Sequence, residues 1–305
     1  MPGPTAVVLR ALGLGDLLTA VPALRGLRRS WDGEVVLCGP AALAPLALLS
    51  GAVDRVVDTA PLGPVPVRGA ALALNLHGSG PQSTVTLAAT DPARLVAYGV
   101  TSTWRDDEHE RARWARLVSE AGLPADPDDL DLPLPAAAPA VRDAVVVHPG
   151  AAFGCRRWPA DRWASVARHM SAEGARVVVT GSAAEEPLAR QVADLAGLPA
   201  DAVLAGRTGL LDLAALVGAA RLVLSGDTGT AHLATALRTP SVVLFGPASP
   251  VRWSPPAGRP WHRVLWSGRT GPLFTDDPDP GLLEIGGPAV LAAAQEALAA
   301  GAGAR

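Results

Sequence analysis

Leu222-Val-Leu-Ser-Gly-Asp227-Thr-Gly-Thr-Ala-His232-Leu-Ala-Thr-Ala-Leu237 reads as three segments in succession. Residues 222–224 form a short apolar run, the signature of a buried strand. Ser225-Gly226-Asp227-Thr228-Gly229-Thr230 is a tight turn of small and polar residues. The Ala/Leu-rich remainder favours helix. A second apolar run, residues 241–245, follows Pro240. The spacing predicts a strand–turn–helix–strand unit. Its turn would lie at the carboxyl end of a parallel sheet, where open α/β sheets bind ligands. A helix N-terminus there offers unpaired N–H groups and partial positive charge to an anion such as a diphosphate. The plainer reading is a helix capped by Asp227 or Thr228, with nothing bound.

Upstream of this unit the alternation repeats. Residues 144–148, 176–180 and 202–204 read as strands, and 161–172, 187–196 and 211–217 as helices. Each strand ends in a turn. These are His148-Pro-Gly150 leading to Arg156-Arg157-Trp158-Pro159, then Gly181-Ser182 leading to Glu185, then Gly206-Arg-Thr208-Gly209. Downstream, residues 246–282 are Pro- and Trp-rich and read as irregular, and 288–300 as a last Ala/Leu helix. Residues 124–139, rich in Pro, Asp and Ala, read as a linker. Ahead of it lie strands at 5–12, 34–38, 53–57, 70–76 and 94–98, with helices at 16–29, 41–49, 82–89 and 106–121. The chain therefore reads as two α/β domains, 1–135 and 140–287.

Composition narrows the function. A chain of 305 residues that is 49% hydrophobic can bury two cores. Its net charge of −3, without a basic block, gives nucleic acid nothing to hold. All 26 positive residues are arginine. Cys38 and Cys155, the two cysteines, provide neither a disulfide framework nor a zinc site. The start of the chain lacks the pattern of a signal peptide. No run of about 18 residues is apolar enough to span a bilayer. The expected place is cytoplasmic, with room for a peripheral position at the inner face of the membrane.

The chemistry gathers at strand ends. Arg156 and Arg157 beside a glycine-rich loop suit a phosphate, because guanidinium binds it bidentately. Glu185 suits a ribose diol, and the amides at Thr228 to Thr230 suit a diphosphate. Ser182 and Thr208 lie on neighbouring turns. In the first domain Gly13-Leu-Gly15-Asp16 places a carboxylate at a strand–turn–helix junction, where it can serve as general base or as helix cap. Leu18 stands where a dinucleotide fingerprint requires its third glycine, which argues against an NAD site. Asp129-Leu-Asp131 has the spacing of a metal-binding pair but lies in the linker. His148 and His232 have no second ligand at standard spacing and read as hydrogen-bonding residues.

Taken together, Gly13-Leu-Gly-Asp16 with Pro22, His148-Pro-Gly-Ala with Arg157-Trp-Pro159, Gly226-Asp-Thr-Gly-Thr-Ala-His232-Leu-Ala, and Leu244-Phe-Gly-Pro247 resemble glycosyltransferase family 9, the family of ADP-heptose:lipopolysaccharide heptosyltransferases. The resemblance covers nearly the whole chain. It implies a GT-B fold, two Rossmann-like domains facing across a cleft, with the acceptor in the first and the nucleotide sugar in the second. It implies an inverting transfer without a metal or other cofactor, with Asp16 as base. Asp227, Thr228, Gly229, Thr230 and His232 would hold the diphosphate and sugar of the donor, expected to be ADP-heptose, and Glu185 would meet the nucleoside. Gly15, His77 and Ser79 would lie on the acceptor side. The helix 288–300 would return to the first domain. Where the family usually carries a lysine before Trp-Pro, this chain has Arg156-Arg157. The acceptor would be a hydroxyl of a glycan, a lipid-linked glycan or a natural product. An epimerase or hydrolase of nucleotide sugars and a non-catalytic nucleotide-sugar binder are the alternative readings.

Overall fold

The computed structural model describes residues 3–302. They divide between Pro133 and Leu134 into two compact α/β units.

The first unit holds β1 (Ala6–Leu9), β2 (Val35–Gly39), β3 (Arg55–Asp58), β4 (Leu72–Asn75) and β5 (Leu95–Val96), all parallel in the order β3-β2-β1-β4-β5. Helices α1 (Leu14–Arg29), α2 (Ala44–Leu49), α3 (Gln82–Ala88) and α4 (Glu110–Glu120) alternate with them, and α4 packs along α1. β1 is the centre, with Ala6 opposite both Val35 of β2 and Leu72 of β4. A strand covered on both faces must be apolar throughout, which is why β1 reads Ala-Val-Val-Leu. The edge strand β3 instead begins and ends on exposed Arg55 and Asp58. Strand order reverses between β1 and β4, and such a switch point opens a crevice at the strands' carboxyl ends. The Asp129–Asp131 pair belongs to the packing of this unit. Arg25 lies 2.7 Å from Asp129 Oδ1 and donates to Asp131 O at 2.6 Å, while Arg29 reaches Asp129 Oδ2 at 2.5 Å.

The second unit holds β6 (Val145–His148), β7 (Val177–Val179), β8 (Leu222–Gly226), β9 (Ser241–Leu244) and β10 (His262–Leu265), again parallel, in the order β10-β9-β8-β6-β7. Its helices are α5 (Ala160–Ala172), α6 (Glu186–Ala196), α7 (Leu210–Gly218), α8 (Gly229–Ala236), α9 (Pro250–Trp253), α10 (Pro280–Glu284) and α11 (Gly287–Gly301). The switch point here falls between β6 and β8, whose residues Val145 and Leu222 are opposite each other.

Two readings from the sequence need correction. Residues 202–204 are not a ladder strand: a 3-10 turn over Ala200–Ala202 leaves a single bridge from Val203 to Val179. The stretch read as irregular contains β10, an edge strand that among the described residues pairs with β9 alone. The last helix, α11, packs within the second unit. Val290, Ala293, Ala294 and Ala297 enter the second unit's core with Val166 of α5 and Leu244 of β9. Small side chains let α11 lie close to the sheet, and Gly301 closes on Pro240, whose Cγ would sit 2.5 Å from a Cβ there. Among the described residues no helix is long and apolar enough to cross a membrane.

Candidate functional site

In the second unit the loop after β6 is the hub. It runs from His148 to Pro159 and touches the ends of the neighbouring strands. At the β7 side, Glu185 leans on Gly150 so closely that a Cβ on Gly150 would lie 2.1 Å from Glu185 Oε1. Glu185 Oε2 accepts the Ser182 N–H at 2.8 Å, so the carboxylate caps its own turn. The Gly206 turn, which carries Thr208, locks onto the same place: Gly206 N–H donates to Gly181 O at 3.0 Å. His148 is buried, with Nδ1 3.0 Å from Thr180 Oγ1. Burial holds its imidazole below the ordinary value, against the opposing pull of the Glu185 carboxylate.

At the β8 side, a Cβ on Gly226 would lie 3.1 Å from Arg156 O. Glycine at that position lets the arginine's backbone rest against the β8 end. Arg156 is half-buried and its Nε has no hydrogen-bond partner. Arg157 is exposed and its Nε donates to Ala151 O at 2.9 Å. The next residues turn into α8. Thr228 precedes the helix in extended conformation without capping it by its side chain, and its Oγ1 is buried and unpaired. Ala231 is the first residue to donate back to Thr228 O, so the amides of Gly229 and Thr230 precede the helical ladder. His232, one turn into α8, has Nε2 3.9 Å from Asp227 Oδ1 and its ring edge-on to Trp253. Arg156, Ser182, Glu185, Thr208, Asp227 and Thr228, on the turns that follow the strands, and Gly229, Thr230 and His232, in the first turn of α8, thus all lie at the carboxyl end of one sheet.

In the first unit the candidates surround its own switch point. Asp16 is the third residue of α1 and Gly13, not Asp16, occupies the cap position. Asp16 Oδ2 accepts the Gly13 N–H at 3.2 Å, and Oδ1 lies 3.2 Å from Arg10 Nη2. The backbone of Asp16 is held as well, because Arg10 Nε and Thr19 Oγ1 each donate to its carbonyl at 3.0 Å. His77 follows β4 and its Nδ1 accepts the Ala11 N–H at 3.2 Å. Burial, then the nearby Arg10 charge, pushes the His77 imidazole down, while Asp16 pulls the other way. Gly15 is half-buried on α1 and Ser79 is exposed on the loop after β4.

Sequence reading passed over Arg10 and Glu110. Arg10 is a buried cation following directly on the apolar strand β1, and that placement is itself a signal, because a charge is almost never left in such a position without a partner. Glu110, at the start of α4, is that partner at 3.2 Å. Among the described residues, no group of three or more His, Cys, Asp or Glu side chains is arranged to hold a metal ion.

Comparison with known proteins bears on the fold and on the family. The fold matches Escherichia coli ADP-heptose lps heptosyltransferase II with a TM-score of 0.76 at 19% identity, covering 97% of this chain and 98% of that one. It matches a family 9 glycosyl transferase from Veillonella parvula with a TM-score of 0.78 at 18% identity, covering 98% of each. The fold is therefore GT-B. Curated relatives include lipopolysaccharide heptosyltransferase 2 of Salmonella typhimurium, 37% identical over 108 residues, 33% of this chain. Another is lipopolysaccharide heptosyltransferase 1 of Pseudomonas aeruginosa, 39% identical over 107 residues, 35% of this chain. These matches span 30% and 29% of the relatives' own lengths. The family model described as Glycosyltransferase family 9 (heptosyltransferase) matches residues 102–268. That match takes in more than half of the sequence, from the loop before α4 to beyond β10, and the chain belongs to glycosyltransferase family 9.

Proposed function

We infer that this chain transfers a heptosyl group from ADP-heptose to an acceptor hydroxyl, in one inverting displacement that needs no metal ion. One observation carries the reading. The loops after β6, β7 and β8 converge around the switch point of the second unit, with Arg156 against Gly226 and Glu185 against Gly150. A site with a guanidinium, first-turn helix amides and a carboxylate side by side suits a nucleoside diphosphate: cation and amides toward the diphosphate, carboxylate toward the ribose. The sugar and the nucleotide come from the names of the relatives.

In this reading the Asp16 carboxylate removes the proton of the acceptor hydroxyl. The oxygen bonds to the anomeric carbon from the face opposite the diphosphate, the bond from that carbon to the diphosphate oxygen breaks, and ADP leaves with the electron pair. Arg156 and the amides of Gly229 and Thr230 take up the charge that develops on the leaving group. Asp227 and His232 hold the sugar end of the donor, with Ser182 and Thr208 beside the nucleoside. Gly15, His77 and Ser79 border the acceptor. The acceptor hydroxyl belongs to a glycan or lipid-linked glycan. If it is of the lipopolysaccharide type in the relatives' names, the chain works as a peripheral protein at the inner face of a membrane.

The test is to incubate the protein with ADP-heptose and a panel of acceptors that includes deacylated lipopolysaccharide core, with a chelator present. The expected result is acceptor-dependent release of ADP and a product whose anomeric configuration, read by NMR, is opposite to the donor's. Retention of configuration, or conversion of the donor without any acceptor, contradicts it.

A further inference from the structure

Asp16 is the outer end of a chain of alternating charges. Its Oδ1 lies 3.2 Å from Arg10 Nη2, and the same nitrogen lies 3.2 Å from Glu110 Oε1. Glu110 Oε2 pairs with Arg113, and Glu110 Oε1 also accepts the Trp114 indole N–H at 2.9 Å. The Arg10 guanidinium lies over the Trp114 ring at 4.8 Å and donates to Leu76 O. Of the four charged side chains only Asp16 reaches solvent, at 29% exposure against 1% for Arg10, 7% for Glu110 and 0% for Arg113. Thr19 Oγ1, 3.4 Å from the same Arg10 nitrogen, and the His77 ring complete the surroundings. His77, pushed down by burial and by Arg10, adds no charge near neutral pH.

The arrangement exceeds what is needed to bury one arginine. A guanidinium that faced Asp16 alone would be aimed by that contact alone. Here Arg10 is divided between two carboxylates, and Arg113 in turn takes part of Glu110. Two buried arginines thus alternate with two carboxylates, and Asp16 is the last of the four.

We propose that Glu110 is a positioning residue for the transfer: by dividing the charge of Arg10 it sets both the aim of the Asp16 carboxylate and its readiness to take a proton. The proposal rests on the reading of Asp16 as base. It predicts opposite effects from two substitutions. E110Q keeps an acceptor for Trp114 and Arg10 but removes a negative charge, so Asp16 protonates at lower pH. R113Q removes a positive charge from the far end, so Asp16 protonates at higher pH.

The experiment uses the full chain labelled with carbon-13 at aspartate carboxyls, the Asp16 resonance being the one missing from D16N. Its titration midpoint is followed in the wild type, E110Q and R113Q, with the pH profile of ADP-heptose turnover measured in parallel. The midpoint is expected to move down by about half a unit to one unit in E110Q and up by a similar amount in R113Q, with the acidic limb of kcat following and KM for ADP-heptose unchanged. An unmoved midpoint, or a shift of the wrong sign, overturns the proposal. If one variant does not fold, the sign of the shift in the other decides. Turnover retained in D16N overturns the base reading instead, whatever the titrations give, so the two failures are distinguishable.

Discussion

Glu185 occupies the space that any side chain at position 150 would need: a Cβ on Gly150 would stand 2.1 Å from Glu185 Oε1 and 2.3 Å from its Cδ. The glycine after β6 is therefore part of what aims the carboxylate after β7. Gly150→Ala should displace Glu185 and weaken ADP binding while leaving the fold intact. Losing one hydrogen bond to a charged group costs about 1.5–3 kcal/mol, or roughly tenfold or more in Kd. Calorimetric titration of ADP into G150A and wild type reads this directly, and Glu185→Gln should give a loss of similar size.

Asp16→Asn keeps the shape of the side chain and its contact with the Gly13 N–H, but it cannot accept a proton in the transfer. Turnover should fall by about 10²–10⁴, the usual contribution of a general base. ADP binding should not change. The check is kcat for ADP release beside calorimetric Kd in the same preparation.

Arg156 and Arg157 are separable by structure. Arg156 rests against the β8 end with its Nε unpaired, whereas Arg157 is exposed and bonded to Ala151 O. Arg156→Ala should therefore weaken ADP binding by roughly tenfold or more, the cost of one charge-assisted contact. Arg157→Ala should have a smaller effect. Equal losses in the two variants would contradict the assignment.

His262 begins β10, buried, with its Nδ1 2.8 Å from Ser241 Oγ of β9. Burial, aided by Arg259 and Arg238, lowers its pKa from 6.5 to about 3. In that window the unfolded chain binds a proton that the folded chain refuses. Stability is therefore full above pH 6.5 and is lost as the pH falls toward 3, by up to about 1.4 kcal/mol per pH unit for one proton. His148 and His77, also lowered by burial, act with the same sign. Thermal unfolding followed from pH 8 to 4 should show a falling Tm, and His262→Asn should flatten the slope.

How far the sequence revealed this structure depends on the kind of contact. Strands covered on both faces are legible because burial forces a continuous apolar run, as in Val145-Val-Val-His148. The edge strand β10, His262-Arg-Val-Leu265, was not legible, because it is covered on fewer sides and carries polar residues. For α11 the composition reveals a helix but not the surface it packs on, which depends on the fit of Val290, Ala293 and Ala297 to a sheet. At the site, Gly226-Asp-Thr-Gly marks its own turn because a tight turn needs those residue types. The Arg10–Glu110 contact joins residues 100 apart in the chain, and no local pattern announces it.

The most direct test of the account is calorimetric titration of the intact protein with ADP, GDP, UDP and dTDP, each with and without magnesium. Selective binding of ADP, unchanged when magnesium is withheld, is the predicted result. Failure to bind ADP, or binding only when magnesium is present, contradicts the account.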